Sequence, residues 1–466
     1  MRFSLLILSS MMLILATGCI GKTSGSLSDS NEEKGAYGPS QPSYKMEVLY
    51  DSTRHEISGN MHVHFTNNVG HTLNEVYFNI WPKADDFQSG NIDVTNVKYN
   101  GKEAVSDVNQ THLKVSGFSL PTKERAEVEM EFTVKVPEQQ DSFGWDGTSV
   151  SLGNWFPILA VYDHNGWNVY PYLDGAESFY SLTGNYDVTI TTDEKEVVAA
   201  TGEQKGDVKK KNGMATYRFI AENVRDFAIQ MNADYRVATE IVDDIKMNVY
   251  YTADQEKEGY KEYMLDSGSQ ALQTFNKKIG RYAWNELDIV GMECDFDGME
   301  YPQLVMICLN EELDESDIKD TVSHEIGHQW FYSAVGNNQY KDPWLDESFA
   351  SFMEVLGTRG LKDFVDKDFQ APVSPYQLDS PSSAFIKRGN SGKEDYIEYI
   401  YNYGLKTLND LRIKLGDAVF YDGMQQYYQE MKYKITTAAD FISIMEDTAG
   451  EDLTDFFEDH YIKIDD

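Results

Sequence analysis

A two-part fold, β-rich at the front and α+β behind, is predicted by three features of this 466-residue chain. The length suits two or three domains rather than one. From residue 44 to about residue 235, short segments alternate apolar with polar residues or are rich in β-branched and aromatic ones. From residue 236 onward, a few strands give way to long stretches with helical periodicity. Apolar residues make up 41% of the chain, enough to bury sizeable cores.

The strands of the first region include Met61-His62-Val63-His64-Phe65, Glu75-Val76-Tyr77-Phe78-Asn79-Ile80 and Tyr186-Asp187-Val188-Thr189-Ile190. Turn clusters such as Asn67-Asn68-Val69-Gly70 and Tyr99-Asn100-Gly101 separate them. Many short strands between turns predict a β-sandwich over residues 44–235. In the second region, Ile245 to Tyr251 and Leu287 to Met292 read as strands. Residues 256–279, 316–334, 345–359, 403–415, 417–431 and 437–447 read as helices. Strands followed by a run of helices predict an α+β domain over residues 236–466. The Ser-, Pro- and Gly-rich stretch 370–393 predicts a surface loop at the lip of a cleft.

The N-terminus stands outside this organisation. Arg2 is followed by an apolar run from Phe3 to Leu15 and then by Ala16-Thr17-Gly18-Cys19. The run is too short to span a bilayer and reads as an export signal over residues 1–18. Small residues ending in Gly-Cys resemble a bacterial lipobox, although Leu15 stands four residues before the cysteine rather than three. Lipidation of Cys19 would anchor the chain to the extracytoplasmic face of a bacterial membrane, with plain secretion as the alternative. Residues 19–43, rich in Ser, Gly, Asn and Pro, then read as a flexible tether.

The formal net charge is −37. Nucleic acid and anionic membrane surfaces are poor partners for such a chain. The acidity favours cationic or amine-bearing substrates, or simply serves solubility. With Cys19 lipidated, Cys294 and Cys308 are left. An exported pair can form a disulfide, and two buried free thiols are the alternative.

The most specific local signal is His324-Glu325-Ile326-Gly327-His328, followed after eighteen residues by Glu347. Histidines at i and i+4 share a helix face, so both imidazoles reach one metal. Glu347 supplies a third donor and leaves a fourth position open. The expected cofactor is one Zn2+ per chain, with Glu325 as general base. Glu354, two turns beyond Glu347, is a candidate to orient a ligand histidine.

Two further segments bear chemistry. Asp297-Gly298-Met299-Glu300-Tyr301-Pro302 runs into the strand-like Gln303-Leu304-Val305-Met306-Ile307. A carboxylate on such an edge can hold an ammonium, although Glu300 taken alone reads as a surface residue. Downstream, Tyr396, Tyr399, Tyr401 and Tyr403 form a dense run. A phenol beside a metal can donate to an oxyanion, and composition does not choose among the four.

These motifs resemble the gluzincin aminopeptidase family, which includes the alanyl aminopeptidases and leukotriene hydrolase. That family follows its H-E-x-x-H helix with a glutamate in W-L-N-E-G-F-A, and here the segment reads Trp344-Leu345-Asp346-Glu347-Ser348-Phe349-Ala350. Its G-x-M-E-N motif falls on Asp297 through Tyr301. The resemblance thereby implies substrate binding by Gly298, Met299 and Glu300, with Glu300 on the free N-terminal amine. Its catalytic tyrosine falls on Tyr401, because Gly404 and Gly416 hold the family spacing. Gly153-Asn154-Trp155-Phe156-Pro157 and Asn223-Val224-Arg225-Asp226-Phe227-Ala228 are similar to segments of bacterial members.

The resemblance covers roughly residues 44–460. It implies a thermolysin-like catalytic domain after the sandwich and removal of N-terminal amino acids from peptides by metal-activated water attack. Tyr301, Asp297 and Ser348 depart from the family pattern, and no counterpart of its β-domain glutamine or glutamate is evident. The closing helical-repeat domain of larger members is expected to be missing, which would leave a more open cleft. An endopeptidase with the same centre is one rival reading. A surface lipoprotein that binds peptides or a partner without turnover is another.

Overall fold

The computed structural model describes residues 37–463 except 88, 295, 311 and 362–368. Cys19, the expected export signal and most of the expected tether lie outside the described residues. A nine-stranded sheet organises the front of the molecule. Ser40–Asp51 pairs antiparallel with Glu56–Thr66 and parallel with Gly184–Asp193. Glu56–Thr66 pairs in turn with Arg125–Lys135. The period-two pattern explains the sheet's inner face: Ala126, Val128, Met130, Phe132 and Val134 are all buried, and the residues between them face outward. Two four-stranded sheets accompany it.

A fifth sheet begins at Arg236 and orders its strands as Arg236–Val242, Ile245–Tyr251, Glu286–Met292, Leu304–Cys308 and Gly298–Met299. Its inner strands pair in parallel. Leu304–Cys308 is buried along its whole length, which is why it reads as an unbroken apolar run rather than an alternating one. Gly298–Met299 closes one edge in antiparallel pairing. A disulfide joins Cys294 to Cys308, with Cα atoms 5.3 Å apart, and so ties this edge together.

Helices then follow, with corrections to their expected bounds. The span 256–279 is two helices, Ala253–Lys257 and Tyr260–Lys278. Gly259 separates them at φ +85°, a conformation that glycine adopts without strain. The helix expected over 316–334 stops early, at Gly327. The chain turns sharply there, with Tyr332 at φ +123°, which no α-helix tolerates. The turn carries Trp330 into the core, where its indole donates to the Gly280 carbonyl at 2.8 Å. The stretch 370–393 is not all loop, since it contains the helix Ser382–Ile386 and the start of Asn390–Tyr396. A terminal helix, Thr454–Asp459, had no counterpart in the sequence reading.

One buried cation joins the front of the chain to the helical part. Arg225 is 2% exposed. Its guanidinium donates to the carbonyls of Tyr332 (2.7 Å), Ser181 (2.9 Å) and Lys434 (2.5 Å). Burial pulls its pKa down to about 10. A charge so enclosed is tolerated because its N–H groups are satisfied.

Candidate metal centre

The centre is assembled by two helices. Glu315–Gly327 starts from a capping box in which Asp314 accepts from the Ser316 and Asp317 amides, while Asp317 accepts from the Asp314 amide. It carries His324 and Glu325, and His328 caps its C-terminal end. Trp344–Gly357 carries Glu347 and is buried on nearly every side. The two helices come close because Gly327 has no side chain. A Cβ there would lie 2.8 Å from the Cβ of Met353.

Three donor atoms converge. His324 Nε2 and His328 Nε2 are 3.2 Å apart, and each is 3.3 Å from Glu347 Oε2. Tetrahedral zinc with bonds of about 2.0–2.1 Å separates its donors by about 3.3–3.4 Å. The observed triangle therefore has the size a zinc ion requires. The tautomers agree with this. His328 Nδ1 lies 2.6 Å from Asp346 Oδ1, so its proton points there and Nε2 presents a lone pair inward. His324 Nδ1 lies 3.4 Å from Glu354 Oε2, which places Glu354 behind that imidazole.

The remaining candidates lie around this triangle. Glu325 is buried, and its Oε2 has no hydrogen-bond partner. Burial pushes its carboxyl up to about 7, against the pull of His324 and His328. Gly298 on the edge strand makes room for it, since a Cβ there would lie 2.4 Å from Glu325 Oε1. Met299 is buried on the same strand. Glu300 is not the surface carboxylate that the residue alone suggested. It is 3% exposed, and Gln339 Nε2 donates to its Oε1 at 3.3 Å. Burial pushes it up to about 8.

Tyr401 is the member of the tyrosine run whose ring stacks on His324, with centroids 5.8 Å apart. Burial, then the charge of Glu347, holds its phenol well above the usual range, so it stays a donor. It lies in a π-helical stretch, Ile397–Tyr403, a local widening common at functional sites. Ser348 accounts for its own departure from the family pattern: its hydroxyl donates to the Ile400 carbonyl at 2.6 Å and fastens the Glu347 helix to the Tyr401 turn. Tyr301 does likewise, donating to Asn154 Oδ1 at 2.9 Å across to the β-rich region.

Several residues of the site escaped the sequence reading. Asp346 orients His328 and is itself held by the Gln339 amide. Its signal was its place beside Glu347. Gln329 donates to the Glu300 and Tyr301 carbonyls at 3.2 Å and accepts from the Gln303 amide at 2.8 Å, locking the edge segment to the histidine helix. Glu177, half-buried and contributed by the β-rich region, has its carboxyl pushed well up by burial and by the charges of Glu300, Glu347 and Asp346. No local pattern marked it.

Residues 263–460 match the family model described as the peptidase family M1 domain. Over those residues the chain is similar to that family. Among curated relatives, aminopeptidase 2 of Candida albicans is 25% identical over 280 residues, covering 56% of this chain and 29% of that protein. Endoplasmic reticulum aminopeptidase 1 of Rattus norvegicus is 34% identical over 133 residues, 27% of this chain and 14% of that protein. The matched part of the chain thus spans less than a third of the length of either relative. Among solved structures, the M1 zinc metallopeptidase of Deinococcus radiodurans superposes with a TM-score of 0.62 at 14% identity, covering 93% of this chain and 97% of that one. The likeness of fold therefore extends over the β-rich region as well as residues 263–460.

Proposed function

We propose that this protein is a zinc-dependent aminopeptidase that removes amino acids from the free N-terminus of peptides. The observation that carries this reading is the buried Glu300, whose carboxyl group lies close enough to His328 and Asp346 for donor atoms of all three to fall within 4.8 Å of one another. An acidic group at that depth suits a terminal ammonium, and Glu177 adds a second carboxyl from the β-rich region. A Deinococcus radiodurans structure of similar fold is described with a bound Tyr-Ser-Ala substrate, which supports short peptides as the substrate class. A β-sandwich preceding a thermolysin-like domain is part of the same reading.

His324, His328 and Glu347 would hold the zinc, which supplies Lewis-acid polarisation of the scissile carbonyl and lowers the pKa of water. Glu325 takes a proton from the attacking water and delivers it to the leaving amine. The Tyr401 phenol donates to the oxyanion that develops on the carbonyl oxygen. Glu300 and Glu177 fix the ammonium, so that the first peptide bond rather than an inner one meets Glu325.

The test compares an aminoacyl amide bearing a free amine with its N-blocked counterpart. The free-amine substrate is expected to turn over faster. Glu300→Ala is expected to raise KM for it far more than for the blocked one. Equal rates on both substrates in the wild type would favour the endopeptidase reading, and absence of any amide hydrolysis would leave only peptide binding. Export with lipidation at Cys19 belongs to the proposal as well. The Cys294–Cys308 disulfide supports an oxidising compartment. Among the described residues no helix is long and apolar enough to cross a membrane.

A further inference from the structure

A second set of metal-type donors lies on the outer face of the nine-stranded sheet. His62 and His64 are two apart on Glu56–Thr66 and so project from one face, while Met61, Val63 and Phe65 fill the core on the other. The register sets His62 opposite Glu129 and His64 opposite Glu127 on Arg125–Lys135. The side chains then converge diagonally. His62 Nδ1 lies 2.9 Å from Glu127 Oε1, and His64 Nε2 lies 3.5 Å from that same oxygen. Donor atoms of His62, Glu127 and Glu129 all fall within 4.8 Å of one another.

The geometry points to a second divalent transition-metal site, formed by His62, Glu127 and Glu129 with His64 at its margin. An imidazole and two carboxylates on paired strands, with a second imidazole 3.5 Å from Glu127 Oε1, are more than a surface ion pair needs. They make a mixed nitrogen and oxygen donor set that suits zinc or nickel rather than calcium or magnesium. The scaffold is two paired strands, so little ordering is required on binding. Neighbouring cations do not fill the place. Lys98 Nζ is 3.7 Å from Glu129, which leaves Glu127 as the principal carboxylate, and Lys45, opposite His62 on the next strand, is 3.8 Å from Glu47. The strongly acidic chain raises the local concentration of dications. A bound ion would clamp the two strands together and stabilise the folded state by mass action.

The test is zinc uptake by the purified full chain, with metal content measured after removal of excess ZnCl2, and with thermal unfolding followed in parallel. The wild type is expected to hold about two zinc per chain, and His62→Gln/His64→Gln about one. Glu127→Gln, which keeps both imidazoles and the exposed surface, is expected to weaken the second equivalent and to abolish its contribution to Tm. His328→Ala is expected to lose the other equivalent and keep this one, so the two centres are read independently. Uptake of a single zinc by the wild type, or a second equivalent unchanged in the double variant, overturns the assignment.

Discussion

Two places in this molecule bring a pair of histidines against a glutamate, and they differ in nearly everything else. At the helical centre, His328 and Glu347 are almost fully buried, and a partner stands behind each imidazole. On the sheet, His62 and His64 are each 38% exposed, and their shared Glu127 is 29% exposed. Helical spacing of four and strand spacing of two both place a histidine pair on one face. What separates the sites is the shell around the donors. Asp346 and Glu354 fix the imidazoles of the first, and Glu325, Glu300 and Tyr401 surround it with groups able to act on a substrate. The second is open to solvent, and its carboxylates, Glu127 and Glu129, are themselves part-exposed. It can hold an ion, but it has no machinery with which to use one.

The comparison is broken most severely at Glu325. Glu325→Gln keeps the size of the side chain but cannot accept a proton, and the rate of peptide hydrolysis is expected to fall by about 10²–10⁴. Zinc content should stay at the wild-type level. Glu127→Gln on the sheet should leave the same rate untouched. If Glu325→Gln retained most of its activity, the functional contrast between the two sites would disappear.

Burial itself can be measured away from both sites. Asp288 is almost fully buried, accepts from Asn248 Nδ2 at 2.8 Å, and is pushed up to about 7 mainly by desolvation. Its unfolded value is about 3.9. The folded state therefore binds this proton more tightly, and the contribution to stability is full below about pH 4 and is lost as pH rises towards about 7. Urea unfolding of Asp288→Asn against the wild type over that interval should give a flatter curve for the variant, with a difference of a few kcal/mol at most. Parallel curves would mean that burial at this depth does not govern carboxylate ionisation here.

The smallest expected effect tests the support behind the histidines. Asp346→Ala removes the shorter acceptor of His328 Nδ1 and leaves it only the Phe331 carbonyl at 3.3 Å, and zinc affinity at the helical centre is expected to fall by about 10–100-fold. Asp346→Asn keeps an oxygen in place and should restore most of it. Competition with a chromogenic chelator reads both values. Equal affinities in all three proteins would show that Asp346 supports the fold rather than the imidazole.

What could be read in advance and what could not divides by distance along the chain. The relation between His324, Glu325 and His328 is internal to one helix, so their spacing carries it. The alternation in Arg125–Lys135 and the apolar run of Leu304–Cys308 likewise report which faces are covered, because a strand's side chains alternate with period two. Helix ends were less legible: the helix stops at Gly327, and Trp330 just beyond it is buried against Phe275 and Tyr282, a tertiary contact that local spacing does not record. The tyrosine run shows the limit of composition, since four phenols look alike until Tyr401 is placed over His324 by a π-helical turn.

By itself, then, the order of residues determined which side chains could act as metal donors, where β structure gives way to helix, and that the chain is strongly acidic. Only the tertiary structure decided that Glu300 is buried, that Glu177 comes near enough to feel the charges of Glu300 and Glu347, that Cys294 pairs with Cys308, and that His62 and His64 meet Glu127. Local spacing records interactions within one turn or one strand. Contacts such as that between Asn154 and Tyr301, 147 residues apart, leave no mark on it, because their geometry exists only once separate elements have packed.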